Sequence, residues 1–350
     1  MKKFYQSNGF VFGALGIILF VALYLSIAVG ATKYGAAQLL SYLQFAFNDK
    51  STFLGSVLEH NIFIYLRLPR ALLCGLTGAV LALSGTLMQG LFRNPIVEPG
   101  LIGTSSGAAL GAAIIFVFGK NSVFAFTESI GAFALPFAAF AGALLATFAV
   151  YSMAASFGKI NIFVLLLSGI AVNALCQAGT GFMSYLARDP QARSITFWNL
   201  GTFTSADWSG VILVLVFFIF GLFVALYFAK SLNALMLGED EAQYLGINIK
   251  KMTRQLLLIT TLMVAVATSM VGVIAFVGLI VPHILRLLRS SNYFFLIPAS
   301  ALLGAIVMEF VDIIARIMIP PAELPIGIIT AVIGAPIFLL LLLRQKASGF

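Results

Sequence analysis

The chain has 350 residues, of which 61% are hydrophobic and only 9% charged, with a formal net charge of +8 and a mean hydropathy of +1.08. A soluble domain carries about 25% charged residues, so this composition excludes a soluble enzyme or regulator and places the chain in lipid. The excess of Lys and Arg is what membrane-span ends carry and needs no nucleic-acid partner.

Runs free of Asp, Glu, Lys and Arg cover 4–32, 71–92, 99–119, 129–158, 160–187 and 208–229. Each is long enough for one crossing of a roughly 30 Å hydrocarbon core. The first run lacks a small-residue cleavage site and exceeds a signal peptide's apolar core, so it reads as a retained first span. Cys74 and Cys176 fall inside apolar runs and read as small buried hydrophobes. Two cysteines make neither a disulfide framework nor a zinc constellation.

Residues 255–285 are also charge-free. As one helix they would reach roughly 46 Å, too long for one crossing and too short for two ideal ones. Gly272, Gly278 and Pro282 interrupt the run, so two short spans joined by a turn are expected. Further spans cover roughly 294–315 and 324–343. Charge parity decides the count. One crossing at 255–285 would put Arg286, Arg289, Arg344 and Lys346 outside; two put them inside and leave Arg316 alone outside. The positive-inside rule favours two. The expectation is an all-α, single-domain protein (1–350) with ten transmembrane helices, multi-pass, with both termini cytoplasmic. Twelve of the 20 basic residues then face the cytoplasm, Lys2, Lys3, Arg93 and Lys159 among them.

Between the second and third spans lies "RNPIVEPG", 93–100. Pro95 ends one helix, Pro99 suits the first turn of the next, and Glu98 favours that helix N-terminus. Gly103, Gly107 and Gly111 recur on one face of the third span, where small residues admit a neighbouring helix. Ser105 and Ser106 there are candidates either for a substrate or for bonds to the preceding turn.

The segment 231–250 is the most polar cytoplasmic stretch. Gly238 separates two short helical pieces. Glu239, Asp240 and Glu241 open the second, where the helix dipole favours acids, and Gly246 stops it. Leu235, Leu237, Tyr244 and Leu245 present an apolar surface, for the membrane plane or a partner's groove.

Arg67 and Arg70 lie near the outer end of the second span and Arg316 near that of the ninth. They read as span anchors or as a positive rim for an acidic partner. Asp312 and Arg316 are four apart and can pair. Glu309 faces a cavity or an interface, and an intramembrane acid opens the reading of a proton-coupled secondary transporter. His283 is expected to cap a broken helix. His60 and His283 make no metal site, and neither a GxxxxGK[ST] loop nor a catalytic constellation is present.

Four stretches together, "RLPRALLCGLTGAVLALSGTLMQGLFRNPIVEPGLIGTSSGAALG" (67–111), "LGEDEAQYLGI" (237–247), "FVGLIVPHILRLL" (276–288) and "AELPIGIITAVIGAPIFLLLL" (322–342), resemble the FecCD-type permeases. These are membrane subunits of ABC importers for iron-siderophores, heme and cobalamin. The resemblance runs in order from about 65 to 343. It implies the ten-helix permease fold of cobalamin-type (type II) ABC importers, in a bacterial inner membrane. It implies a homodimer, two cytosolic ATPase subunits that carry ATP-Mg, and an extracytoplasmic substrate-binding protein. No cofactor is implied in this chain. Leu235, Leu237, Gly238, Glu239, Asp240, Glu241, Tyr244, Leu245 and Gly246 match the family's coupling helices, which selects partner docking over the membrane plane. Arg67, Arg70 and Arg316 match the arginines that meet the binding protein. The path would be lined by the fifth and tenth spans, with Ser168, Asn173, Gln177 and Met183 as candidates and Asn94 as a cytoplasmic gate residue. The implied cargo is an iron chelate, heme or a ferric siderophore, with cobalamin as the alternative.

Overall fold

The computed structural model describes residues 8–30, 35, 37–39, 41–42, 56–119, 130–156, 159–160, 162–320 and 322–347. Lys2 and Lys3, counted above as cytoplasmic charges, lie outside them. Apart from the turns that join helices, the described chain is helical, with one two-residue antiparallel pair, Ala155–Ser156 with Lys159–Ile160.

The helices are α1 (Asn8–Ala28), α2 (Val57–Leu91, with one π turn at Phe63–Arg67), α3 (Thr104–Phe118), α4 (Ala134–Ala154), α5 (Ile162–Leu186), α6 (Asp189–Asn199), α7 (Trp208–Leu235), α8 (Glu239–Tyr244), α9 (Ile249–Val271), α10 (Val277–Leu288), α11 (Tyr293–Ile317) and α12 (Ile326–Ala347). Seven are long and apolar enough to cross a membrane among the described residues, and α3, α10 and the 326–340 part of α12 are shorter apolar helices. Together they agree with ten spans, leaving α6 and α8 as the two that do not cross.

The core is organised around α2. Ser56 and Glu59 form a capping box at its start, which satisfies orphan N–H groups of the first turn. From Leu68 onward nearly every side chain is buried, against α7, α9, α10 and α11. Glycines let these helices touch backbone to backbone. A Cβ on Gly85 would lie 1.8 Å from the Gly278 carbonyl oxygen, and one on Gly78 would lie 2.2 Å from that of Gly304. Buried polar groups on α2 are matched across the same contacts. The Thr86 hydroxyl donates to Ser300 Oγ at 2.8 Å, and Gln89 Nε2 donates to the Gly278 and Leu279 carbonyls at 3.3 and 3.1 Å. Arg286 in turn donates to Gln89 Oε1.

α3 and α4 form a second small-residue pair. Gly107 and Gly111 press on the Gly142 and Ala138 carbonyls, so the glycine stripe packs helices, as close approach requires.

The long run at 255–285 is indeed two helices. The break is at Gly272 (φ +79°) and not at Pro282, which sits inside α10. Its freed backbone groups find partners. Thr202 N–H donates to the Val271 carbonyl at 2.8 Å, and Val273 N–H to that of Trp198 at 3.4 Å. That satisfaction is what a broken helix in lipid needs. His283 therefore lies within α10 and does not cap it. Pro99 opens a 3₁₀ turn, Pro99–Ile102, and α3 begins only after Gly103 (φ +89°). Leu68–Leu91 is continuous with the turns before it, and α7 runs unbroken to Leu235. The first piece of 231–250 is thus the end of a span.

Candidate functional site

Three irregular segments meet around one cavity. They are the Pro99–Ile102 turn, the 272–276 break and the end of α6 at Asn199. The α5 helix presses on the first of these, since a Cβ on Gly169 would lie 2.1 Å from the Leu101 carbonyl oxygen. Asn173 on α5 ties them together. Its amide donates to the Gly100 and Leu101 carbonyls at 3.2 and 3.4 Å, and its Oδ1 accepts from the Ser106 hydroxyl. A bonded asparagine of this kind fixes the height of the turn against the helix.

The cavity has a volume of about 540 Å³. Its polar lining is Glu98, Ser105, Ser106, Asn173, Gln177, Thr180, Ser184 and Asn199, interleaved with Val273, Ile274 and Gly278. Glu98 is the one ionisable group among these described residues. Its carboxylate does not serve α3, as the local pattern predicts. It feels instead the backbone N–H of Phe276, the residue before α10. Burial pushes the Glu98 carboxyl up to about 7, and the Phe276 N–H acts in the opposite direction. Phe276 holds φ +71°, an uncommon conformation for a residue with a bulky side chain. Its Cβ fills the space beside Gly334 of α12. One strained residue thus joins the turn before α3, the start of α10 and α12.

Of the candidate path residues, Asn173 and Gln177 line the cavity. Ser168 is buried and donates to the Val164 carbonyl of its own helix at 2.6 Å. Met183 is half-buried and is not part of the lining. No group of three or more His, Cys, Asp or Glu side chains that could hold a metal ion occurs among the described residues.

Asn94 builds the turn below the cavity. Its Oδ1 accepts the Ile96 N–H at 3.0 Å, and its own N–H donates to the Gln89 carbonyl at 3.1 Å. Arg93, at φ +48°, reaches Glu239 of α8 at 3.3 Å. Both side chains are about half exposed, so the pair contributes little energy, but it links this turn to the 231–250 segment.

That segment has the expected break at Gly238, φ +147°, and the expected stop at Gly246, φ +79°. Leu237, Tyr244 and Leu245 are 71%, 91% and 65% exposed. Leu235 is 1% exposed and packs inward, so it adds nothing to that surface. Met236, at 44% exposed, takes its place.

The three arginines cluster at the opposite end of the bundle, folded onto their own chain. Arg67 donates to the Ile27 carbonyl at 2.7 Å. Arg316 donates to the Val29 and Ser26 carbonyls at 2.8 and 2.9 Å and pairs with Asp312 at 2.9 Å. Arg70 pairs with Asp312 at 2.8 Å and with Glu323 at 2.9 Å. Cations at the carbonyl end of α1 complement its dipole, so two of the three cap that helix. Glu309 is fully buried and fills the space beside Gly75. It faces no cavity among those described.

The FecCD transport family profile matches residues 18–344. The hemin transport system permease protein HmuU of Yersinia pestis is 39% identical over 286 residues, covering 82% of this chain and 84% of that protein. The vitamin B12 import system permease protein BtuC of Klebsiella pneumoniae is 36% identical over 345 residues, 98% of this chain and 96% of that one. A solved structure described as a metal-chelate type ABC transporter in an inward-facing conformation superimposes with a TM-score of 0.79. It is 29% identical in sequence, and the match covers 97% of this chain and all of that one. Ten apolar helices, a polar cavity beside two broken segments, and matches that span nearly the whole sequence lead to one assignment: the chain belongs to the FecCD transport family.

Proposed function

We propose that the chain is the membrane-spanning permease subunit of an ABC importer that moves an iron chelate, heme or a ferric siderophore, across the inner membrane. The observation that carries this reading is the match over 82% of the chain to a hemin permease and over 98% of it to a vitamin B12 permease. The polar cavity supports it, because its lining reaches from the gate-side turn to the α9–α10 break. Cobalamin is the second reading, favoured by the near-complete coverage of the B12 permease.

The subunit works as a homodimer, with the path at the two-fold axis and Asn173 and Gln177 in its wall. α5 and α12 suit that contact, since Leu167, Ile170 and Leu175 on one and Val332 and Leu339 on the other are exposed. Both termini lie in the cytoplasm. ATP-Mg binds in two partner ATPases, whose closure acts through α8. The binding protein docks at the end carrying Arg67, Arg70 and Arg316. Arg70 is the one that can exchange partners, because Glu323 is 35% exposed while Asp312 is wholly buried. ATP moves the equilibrium only through its different affinity for the two states of the assembly.

Reconstitution tests this. Subunit, ATPase and binding protein in proteoliposomes should take up an iron chelate only with ATP inside. Uptake driven by a pH gradient without the ATPase would establish the secondary-transporter reading instead. Uptake of cobalamin but not of heme or ferric siderophores would reassign the cargo.

A second experiment tests α8. The triple variant Leu237→Ser, Tyr244→Ser, Leu245→Ser should reduce co-purification of the ATPase at least about tenfold, the loss expected when central apolar anchors of an interface are removed. The three side chains are exposed, so thermal unfolding of the subunit should not change. An ATPase that still co-purifies at the wild-type level would place the coupling surface elsewhere.

A further inference from the structure

A second cavity, of about 850 Å³, opens between α7 and α9, away from the path. Its lining changes character along its length, and the two helices agree on the direction. On α7, Phe220 and Phe223 come first, and Tyr227 and Lys230 follow toward the α8 end. α9 runs the opposite way from that end, so Lys251 comes first and Leu262 lies deep. Ten residues separate Phe220 from Lys230 and eleven separate Lys251 from Leu262, roughly 15 Å at the helical rise. That is about one leaflet of a 30 Å hydrocarbon core. The groove is therefore an apolar trough of leaflet depth with two ammonium groups at its mouth.

The charge at the mouth is uncompensated. No acidic residue lines the groove, and among the described residues neither lysine belongs to an ion pair. Both are exposed. Lysines in this position snorkel toward the headgroup region, and basic clusters beside spans attract anionic headgroups.

We propose that this groove binds an anionic glycerophospholipid of the leaflet on the α8 side, with its phosphate between Lys230 and Lys251 and one acyl chain along Phe223 and Leu262. The site rests on the membrane placement of α7 and α9 and not on the identity of the cargo. Gly246 and Asn248, which join α8 to α9, form part of its rim. A bound lipid would brace the joint through which α8 moves.

The test uses the full chain in mild detergent. Dioleoyl-phosphatidylglycerol should raise its thermal unfolding temperature in a saturable way, and native mass spectrometry should show this lipid retained over dioleoyl-phosphatidylcholine at equal concentration. Lys230→Gln/Lys251→Gln should weaken the apparent affinity about 30-fold, taking about fivefold per lysine near an anionic headgroup. The double Lys→Arg variant should restore it, and Lys250→Gln, which does not line the groove, should have no effect. Three results would overturn the proposal. One is equal retention of both lipids by the wild type. Another is the same stabilisation by inorganic phosphate alone. The third is a Gln variant that keeps its lipid response but loses the ATPase, which would make the lysines a protein contact.

Discussion

Gly85→Ala should abolish accumulation of folded protein in the membrane. A Cβ at this position would sit 1.8 Å from the Gly278 carbonyl oxygen and 2.4 Å from its carbon. Both are backbone atoms, so no side chain can turn away. Relief requires α2 and α10 to separate. That separation would also pull the Gln89 amide from the Gly278 and Leu279 carbonyls, leaving buried polar groups unmatched. Overpacking a core usually costs about 1–3 kcal/mol and occasionally more; the obstacle here is backbone, so the loss should reach or exceed the top of that range. The control lies in the same chain. Gly13 and Gly16 of α1 meet nothing within 4 Å, and alanine there should be tolerated and raise helix propensity. Expression and size-exclusion profiles of the three variants decide the matter. A normal Gly85→Ala profile would mean that the α2–α10 contact is slack.

Asp312→Ala should lower the thermal unfolding temperature of the detergent-solubilised subunit by several degrees. Asp312 is fully buried and pairs with two arginines. Breaking a buried pair by removing one partner costs about 3–5 kcal/mol, because a buried charge is left alone. The low end applies here. Arg70 keeps Glu323, and Arg316 keeps the Ser26 and Val29 carbonyls. Cys74 and Cys176 are free and buried, so a thiol-reactive fluorophore reports the unfolding directly. An unchanged midpoint would show that the arginines are adequately held without Asp312.

What was readable from the sequence follows distance along the chain. Most spans came from charge-free runs, which are local, and the positive-inside rule settled the one ambiguous run at 255–285. Gly246 was readable as the stop of α8, and Gly238 as the break before it, because a positive-φ residue at a helix end is a local requirement. Asp312 with Arg316 was readable from a spacing of four. Arg70 with Asp312, 242 residues apart, was not. Neither was Glu98, whose natural local reading is the start of α3. Its carboxylate is instead influenced by the Phe276 N–H, because the break after Val271 brings the start of α10 to the cavity that the turn before α3 also lines. The hydrogen bond of Ser168 to its own helix was not readable for a related reason. A serine in an apolar helix is equally content on the carbonyl one turn back, and only the packing of neighbours says which. Leu235 looked like surface because it precedes Gly238, yet the helix phase of α7 turns it inward.

The burial of α2 has a consequence for synthesis in the cell. Its most apolar window is 89% buried, and much of its cover comes from α9, α10 and α11. Those helices leave the ribosome long after it. The 187 residues between Leu91 and Gly278 take roughly 10–40 s at bacterial elongation rates of 5–20 residues per second. For that interval Gln89, Thr86 and the open glycine notches of α2 face lipid or an insertion factor. A ribosome stalled before α10 therefore leaves a nascent chain whose central helix still lacks the cover of α10 and α11 over Gln89, Thr86 and its glycine notches.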